Sequence, residues 1–71
     1  MFAIHLQAAE HTKRYSVVPL SGSGWAVRIE EDQAVTREIH YHDWHRVERV
    51  MSAFKMEAMK LAAQGWIVQD R

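Results

Sequence analysis

Three histidines close together in the sequence are the residues whose spacing could support metal chemistry. They lie within six residues of one another, at His40, His42 and His45. Three imidazoles can hold zinc or nickel and leave one coordination position open for water. However, His45 lies beyond the strand that would carry the other two, and no helix carries two histidines four residues apart around a glutamate. We therefore expect no metal and no other cofactor, and keep the three histidines as an alternative metal site.

A carboxylate beside these histidines, Glu38, could pair with His40 or His42 in general acid–base catalysis. Neighbours on the same face of a strand more often form a surface pair. Catalysis also needs a concave pocket that excludes water, and one sheet under one helix rarely encloses such a pocket. We therefore expect no catalytic residues and no enzymatic activity.

The composition indicates one small globular domain over residues 1–71. Hydrophobic residues make up 48% of the chain, which is enough for a folded core. Nine basic and nine acidic residues give a formal net charge of zero, so nucleic-acid binding would require a local basic patch. The absence of cysteine excludes disulfides and thiolate metal sites. Because no apolar run reaches the roughly 20 residues of a membrane span and no signal peptide is recognisable, we expect a cytoplasmic protein.

Alternation of apolar and polar residues predicts an antiparallel three-stranded meander over residues 13–42. The turns are expected at Ser21-Gly22-Ser23-Gly24 and at Glu31-Asp32-Gln33. Residues 1–12 form either an edge strand or a flexible arm, and residues 66–71 form a short strand or a tail. These elements must present the histidines and the other polar side chains on one face of the sheet.

The third strand of the meander is expected to have one apolar and one polar face. The apolar face would carry Val35, Ile39 and Tyr41, with Arg37 among them. The polar face would carry Thr36, Glu38, His40 and His42.

A long amphipathic helix over residues 43–65 follows the meander. Asp43 can accept hydrogen bonds from the first turn, and no proline or glycine occurs before Gly65, which suits a left-handed C-terminal cap. Trp66 should then make the hydrophobic contact of a Schellman motif against Leu61. The expected core-facing stripe comprises Trp44, Val47, Val50, Met51, Phe54, Ala58, Leu61 and Ala62. The predicted fold is therefore α+β, with three to four antiparallel strands and one helix on one face, in the order β-β-β-α.

The predicted helix is longer than the strands beneath it. Twenty-one helical residues span about 31 Å, whereas a strand of six residues spans about 20 Å. Either the two ends of the chain extend the sheet, or a second subunit covers the remainder of the helix. We favour a homodimer.

The outer face of the predicted helix carries an apolar strip beside basic residues. We call the set the helix strip; it comprises Arg46, Arg49, Met56, Met59, Lys60 and Ala63. Methionines suit adaptable contact surfaces, and an apolar centre flanked by arginines is typical of an interface. Isolated methionines also occur on ordinary surfaces. We favour the interpretation as a partner-binding surface over that of an ordinary surface.

The segment Gly24-Trp25-Ala26-Val27-Arg28-Ile29, followed by a further strand and an alanine-rich helix, resembles two groups of DNA-binding domains. These are the arm-binding domains of phage-type integrases and the plant ethylene-response-factor domains. Small bacterial and phage proteins of unknown function share the layout. The resemblance covers roughly residues 14–65 and implies that the exposed sheet face enters the major groove. The implied DNA contacts are Arg14, Arg28 and Thr36.

Two functions from different classes follow from these patterns. The favoured prediction is a non-enzymatic binding module, acting as a homodimer through protein–protein interaction, in the manner of a phage or mobile-element accessory protein or inhibitor. The alternative is DNA binding through the exposed sheet face. Glu30 and Glu38 depart from the DNA-binding pattern, because carboxylates on that face would repel phosphate.

Overall fold

The computed structural model describes residues 2–69 and shows five antiparallel strands with one helix packed on one face of the sheet. The strands are β1 (Phe2–Ala8), β2 (His11–Pro19), β3 (Trp25–Glu31), β4 (Ala34–Tyr41) and β5 (Ile67–Gln69), and the helix is α1 (Trp44–Ala63). The predicted α+β class is confirmed. The predicted number of strands was low, because both ends of the chain join the sheet.

The order of strands across the sheet is β4-β3-β2-β1-β5. The first strand therefore has neighbours on both sides and is neither an edge strand nor a flexible arm, which corrects the prediction for the N-terminal segment. Ala8 pairs with His11 across a two-residue turn, and His5 pairs with Gln69 near the other end of the chain. Of the two explanations for the long helix, the structure shows an extended sheet.

The turn between β3 and β4 was predicted correctly, but the faces of β4 were predicted only in part. Asp32 and Gln33 both have positive φ, 53° and 69°, as a type I′ hairpin requires. Ile29 pairs with Arg37 and Glu30 pairs with Val35, so the intervening Thr36 is the extra residue of a β-bulge.

The bulge moves Val35 to the face opposite α1, which we call the open face, where it is exposed. Thr36 lines a cleft on the helix side, and its hydroxyl donates to the carbonyl of Ile29. Both residues were predicted on the wrong face, because strict alternation fails wherever a strand contains an inserted residue.

Both ends of α1 form as the sequence predicts. The Asp43 side chain accepts a hydrogen bond from the His45 amide at 3.0 Å. Gly65 has φ of 106°, its amide donates to the carbonyl of Ala62 at 3.1 Å, and the Trp66 amide donates to the carbonyl of Leu61 at 3.0 Å. These two bonds define a Schellman motif.

The core lies between α1 and the strands β1, β2 and β3. Its buried residues are Leu6, Tyr15, Val17, Val27, Val47, Phe54 and Ala58. The Tyr15 and Phe54 rings are 4.6 Å apart between centroids. Two members of the predicted core-facing stripe are not buried. Ala62 is exposed. Trp44, at the first position of the helix, remains partly exposed, although its ring packs against that of Trp25 with 5.1 Å between the centroids. Within residues 2–69, no helix is long and apolar enough to cross a membrane.

The helix crosses the sheet diagonally. It contacts both β4 and β5, which lie at opposite edges of the sheet, and it contacts β1 and β2 between them. A diagonal crossing covers the centre of the sheet but leaves a corner of the helix-side face open. That corner lies near Ile29 and Arg37, where β3 and β4 meet.

Candidate functional site

The helix strip lies on the exposed side of α1. Met56 and Met59 keep 62% and 71% of their surface exposed, and the other four members of the strip are exposed as well. The opposite side of the helix carries the buried residues Val47, Phe54 and Ala58. The helical periodicity thus places two large apolar side chains in solvent, on one line and one turn apart.

The basic residues of the helix strip form no internal ion pairs. Within residues 2–69, neither Arg46, Arg49 nor Lys60 forms an ion pair with a carboxylate. The sheet differs, because Lys13 pairs with Glu31 at 3.3 Å. Positive charge is therefore available to a partner on the helix and is largely neutralised on the sheet.

The two arginines of the DNA-binding alternative are paired with carboxylates on the open face. Arg14 lies 3.8 Å from Glu30, and the Arg28 Nε donates to Glu38 at 3.0 Å. The third implied contact, Thr36, donates its hydroxyl to the carbonyl of Ile29 and lines the helix-side cleft, away from the open face. The sheet thus offers little of the uncompensated positive charge that phosphate binding requires.

Glu38 is held by two neighbours. His40 lies 2.8 Å from one carboxylate oxygen and Arg28 lies 3.0 Å from the other. Both contacts hold the pKa of Glu38 below its usual value, and the contact with His40 has the larger effect. The group therefore remains ionised and acts as an acceptor for both side chains, which is the surface arrangement expected for same-face strand neighbours.

The structure does not bring the three clustered histidines together. The His40 ring contacts Glu38, and the His45 ring lies 3.6 Å from Glu48 on the first turn of α1. The His42 ring lies next to Gly24. In the part of the chain that the structure describes, no group of three or more His, Asp or Glu side chains is arranged to hold a metal ion.

The open corner of the helix-side face contains two adjoining depressions that sequence reasoning missed. A groove of 180 Å³ runs between the helix and β4, lined by Ile39, Tyr41 and Val50. A wider cleft of 440 Å³ continues from it and is lined by Lys13, Glu31, Glu57 and the buried Tyr15. Both depressions share Arg37, which forms no ion pair within residues 2–69.

Tyr15 places a phenol between the sheet and the helix at the wider cleft. Its hydroxyl is buried and has no hydrogen-bond partner in the described part of the chain. Burial raises the pKa of Tyr15, although the nearby Lys13 ammonium, 5.6 Å from the ring centroid, acts in the opposite direction. The phenol is therefore neutral at physiological pH.

One edge of the sheet is also open. β4 is the outermost strand on its side, and all its residues are exposed except Ile39 and Tyr41, which are half-buried. The alternation in β4 is visible in the sequence, but its edge position depends on pairings made elsewhere in the sheet. Only the extended order of five strands shows that β4 ends the sheet.

Searches of protein-family models, of curated proteins and of solved structures found nothing that matches this chain. The resemblance to three-stranded DNA-binding domains thus stays a prediction.

Proposed function

We propose that this protein is a non-enzymatic binding module that attaches to another protein through the helix strip. The observation that supports the proposal is that one helix face carries both exposed apolar side chains and basic side chains without ion pairs. Met56 and Met59 are mostly exposed, and the arginines beside them have no carboxylate partner within residues 2–69. Flexible, polarizable methionine side chains adapt to a partner's shape, and arginine is enriched in interfaces.

The charge of the strip specifies the chemistry of its partner. α1 carries Arg46, Arg49, Lys55 and Lys60 against Glu48 and Glu57. A partner surface with an apolar centre and a rim of carboxylates would complement this face. Two copies of the chain that met strip to strip would bring like-charged rims together, so a different protein is the better occupant.

The sheet supports this assignment of charge. The two arginines of its open face, Arg14 and Arg28, are already paired, so an acidic partner gains more from the helix than from that face. DNA binding through the open face draws no support from these pairs.

A cross-linking experiment with paired positions tests the proposal. A photoreactive amino acid replaces Met59 in one variant and Ile67 in the other, because Ile67 is a similarly exposed apolar residue, at 66%, on β5. We expect the residue at position 59 to cross-link a specific protein in cell lysate, and the residue at position 67 to give no such product. Equal products from both positions would show that the strip has no special affinity.

A second set of variants tests whether binding of the captured protein requires the helix strip. The double substitution Met56→Glu with Met59→Glu should abolish capture, whereas Ile67→Glu should leave it intact. The helical circular dichroism signal should be unchanged in all of them, because these side chains lie outside the core. Replacing Arg46 and Arg49 by glutamate should weaken capture and reduce its salt dependence. Capture that survives the double methionine substitution would contradict the proposal.

A further inference from the structure

The exposed edge of β4 is regular along only part of its length. An edge strand presents unpaired N–H and C=O groups that can pair with another chain. The bulge at Thr36 limits such pairing at the start of the strand. From Arg37 to Tyr41 the register with β3 is continuous, so five residues remain available for a regular ladder.

We infer that β4 pairs with β4 of a second copy of this chain, antiparallel, about a two-fold axis at Ile39. In this register Ile39 faces its own counterpart, Glu38 faces His40 of the second copy, and Arg37 faces Tyr41 of the second copy. Carboxylate then meets imidazole on the open face, and guanidinium meets an aromatic ring on the helix side. The edge is therefore complementary to itself.

Neighbouring registers lack this complementarity. An axis at Glu38 would set two carboxylates directly opposite each other, and an axis at Arg37 would oppose two guanidinium groups. An axis at His40 would leave only residues 39–41 in the ladder, because β4 ends at Tyr41. Of these registers, the one centred on Ile39 pairs the largest number of regular residues and also places unlike side chains opposite each other at Glu38 and Arg37.

The open corner gives a reason for a second copy to dock there. Ile39 and Tyr41 are only half-buried, and both line the groove beside the helix. In the inferred pair, Tyr41 of the second copy would lie over Arg37, at the mouth of this groove, and the two Ile39 side chains would cover each other. The helix strip lies on the outer side of α1 and takes no part, so this inference is independent of the proposed function.

The absence of native cysteine makes a direct test possible. The variant Ile39→Cys places two thiols directly opposite each other, about 5 Å apart between Cβ atoms, within reach of a disulfide. In the matched control Arg37→Cys the two positions would be offset by four residues, about 13 Å, beyond that reach. Under mild oxidation of the purified protein we expect at least tenfold more disulfide dimer from Ile39→Cys than from Arg37→Cys. Equal yields from the two variants would overturn the inference. In the same assay, Met56→Cys separately reports any pairing of two copies through the helix strip.

Charge complementation provides a second test that does not depend on oxidation. The variant Glu38→Lys pairs poorly with itself, since Lys faces His40, and His40→Glu pairs poorly with itself, since two carboxylates face each other. Mixed together, they place Lys opposite Glu and His opposite Glu. Sedimentation equilibrium should show a dimer for the unsubstituted chain, at least tenfold weaker association for each variant alone, and recovery in the mixture. A mixture that associates no better than its components, with both chains folded, would also overturn the inference.

Discussion

Thr12 and Asp32 hold each other by hydrogen bonds in both directions. The Thr12 amide donates to the Asp32 side chain at 3.0 Å, and the Asp32 amide donates to the Thr12 carbonyl at 2.9 Å. His11 lies 3.3 Å from the second carboxylate oxygen of Asp32. These contacts attach the turn between β3 and β4 to the beginning of β2, the strand that neighbours this hairpin in the sheet.

This attachment predicts a pH dependence of stability. The Thr12 amide, and then His11, hold the pKa of Asp32 below its usual value. Because the folded pKa lies below the unfolded one, the contribution is complete above about pH 4 and is lost as the pH falls through the folded pKa. We expect Asp32→Asn to reduce the dependence of the unfolding free energy on pH between about pH 5 and pH 2, measured by urea titration.

The control for this experiment is Glu10→Gln, which removes an exposed carboxylate from the neighbouring turn. Glu10 forms no ion pair within residues 2–69, so Glu10→Gln should retain the acid dependence that the contacts of Asp32 produce. A pH profile for Asp32→Asn identical to that of the unsubstituted protein would show that the contacts of Asp32 add nothing to stability.

Ala9 occupies a backbone conformation that favours glycine. Its φ is 53°, in the left-handed region, where a side chain costs roughly 1 kcal/mol or more. We expect Ala9→Gly to raise the free energy of unfolding by up to about 1 kcal/mol, because relief of strain exceeds the added entropy of the unfolded chain. The matched change Ala53→Gly, in the middle of α1, should instead lower it by roughly 0.5–1 kcal/mol. Chemical denaturation of both variants measures these free energies of unfolding. A lower stability of Ala9→Gly than of the unsubstituted protein would contradict the prediction.

The hydroxyl of Tyr15 is predicted to contribute little to stability. Although the residue is buried, the hydroxyl has no well-aligned hydrogen-bond partner in the described residues and only the Lys13 ammonium nearby, so its removal sacrifices at most a weak contact. We expect Tyr15→Phe to change the free energy of unfolding by less than about 1 kcal/mol, whereas Phe54→Ala should cost roughly 3–5 kcal/mol through the cavity it leaves. If Tyr15→Phe were as damaging as the loss of the Phe54 ring, the hydroxyl would have to hold a bond that the geometry does not show.

Leu6 tests whether the N-terminal strand belongs to the core. Only 1% of its surface is exposed, so Leu6→Ala should lower the free energy of unfolding by roughly 2–5 kcal/mol. For a domain of this size, that is a large part of the total stability. Ile67→Ala, at an exposed position of β5, should have a much smaller effect. Similar thermal midpoints for the two variants would argue that β1 packs only loosely.

The sequence predicted α1 closely because a helix is determined by nearby residues. Asp43 and Gly65 act within one turn of the helix ends and form the caps predicted for them. The Trp66 amide completes the Schellman motif by donating to the Leu61 carbonyl. The exposure of Met56 and Met59 follows from the same periodicity.

The sheet could be predicted only in part because its pairings are distant. Nothing local in residues 67–69 indicates that they pair with residues 5–7. The bulge at Thr36 likewise carries no clear sequence signal, yet it decides which face receives Val35. The grooves beside Arg37 depend on the diagonal path of the helix, which is set by packing across the whole sheet.

The pairing of β1 with β5 also has a consequence for how the chain is made. During synthesis the first strand can join β2 as soon as that hairpin has emerged, but its other side stays unpaired until Gln69 is available. Closing that contact brings together positions 60 to 64 residues apart, which makes it slow relative to the neighbouring turns. A nascent chain stalled after the helix would therefore display β1 as a second open edge, ready to capture strands from other chains.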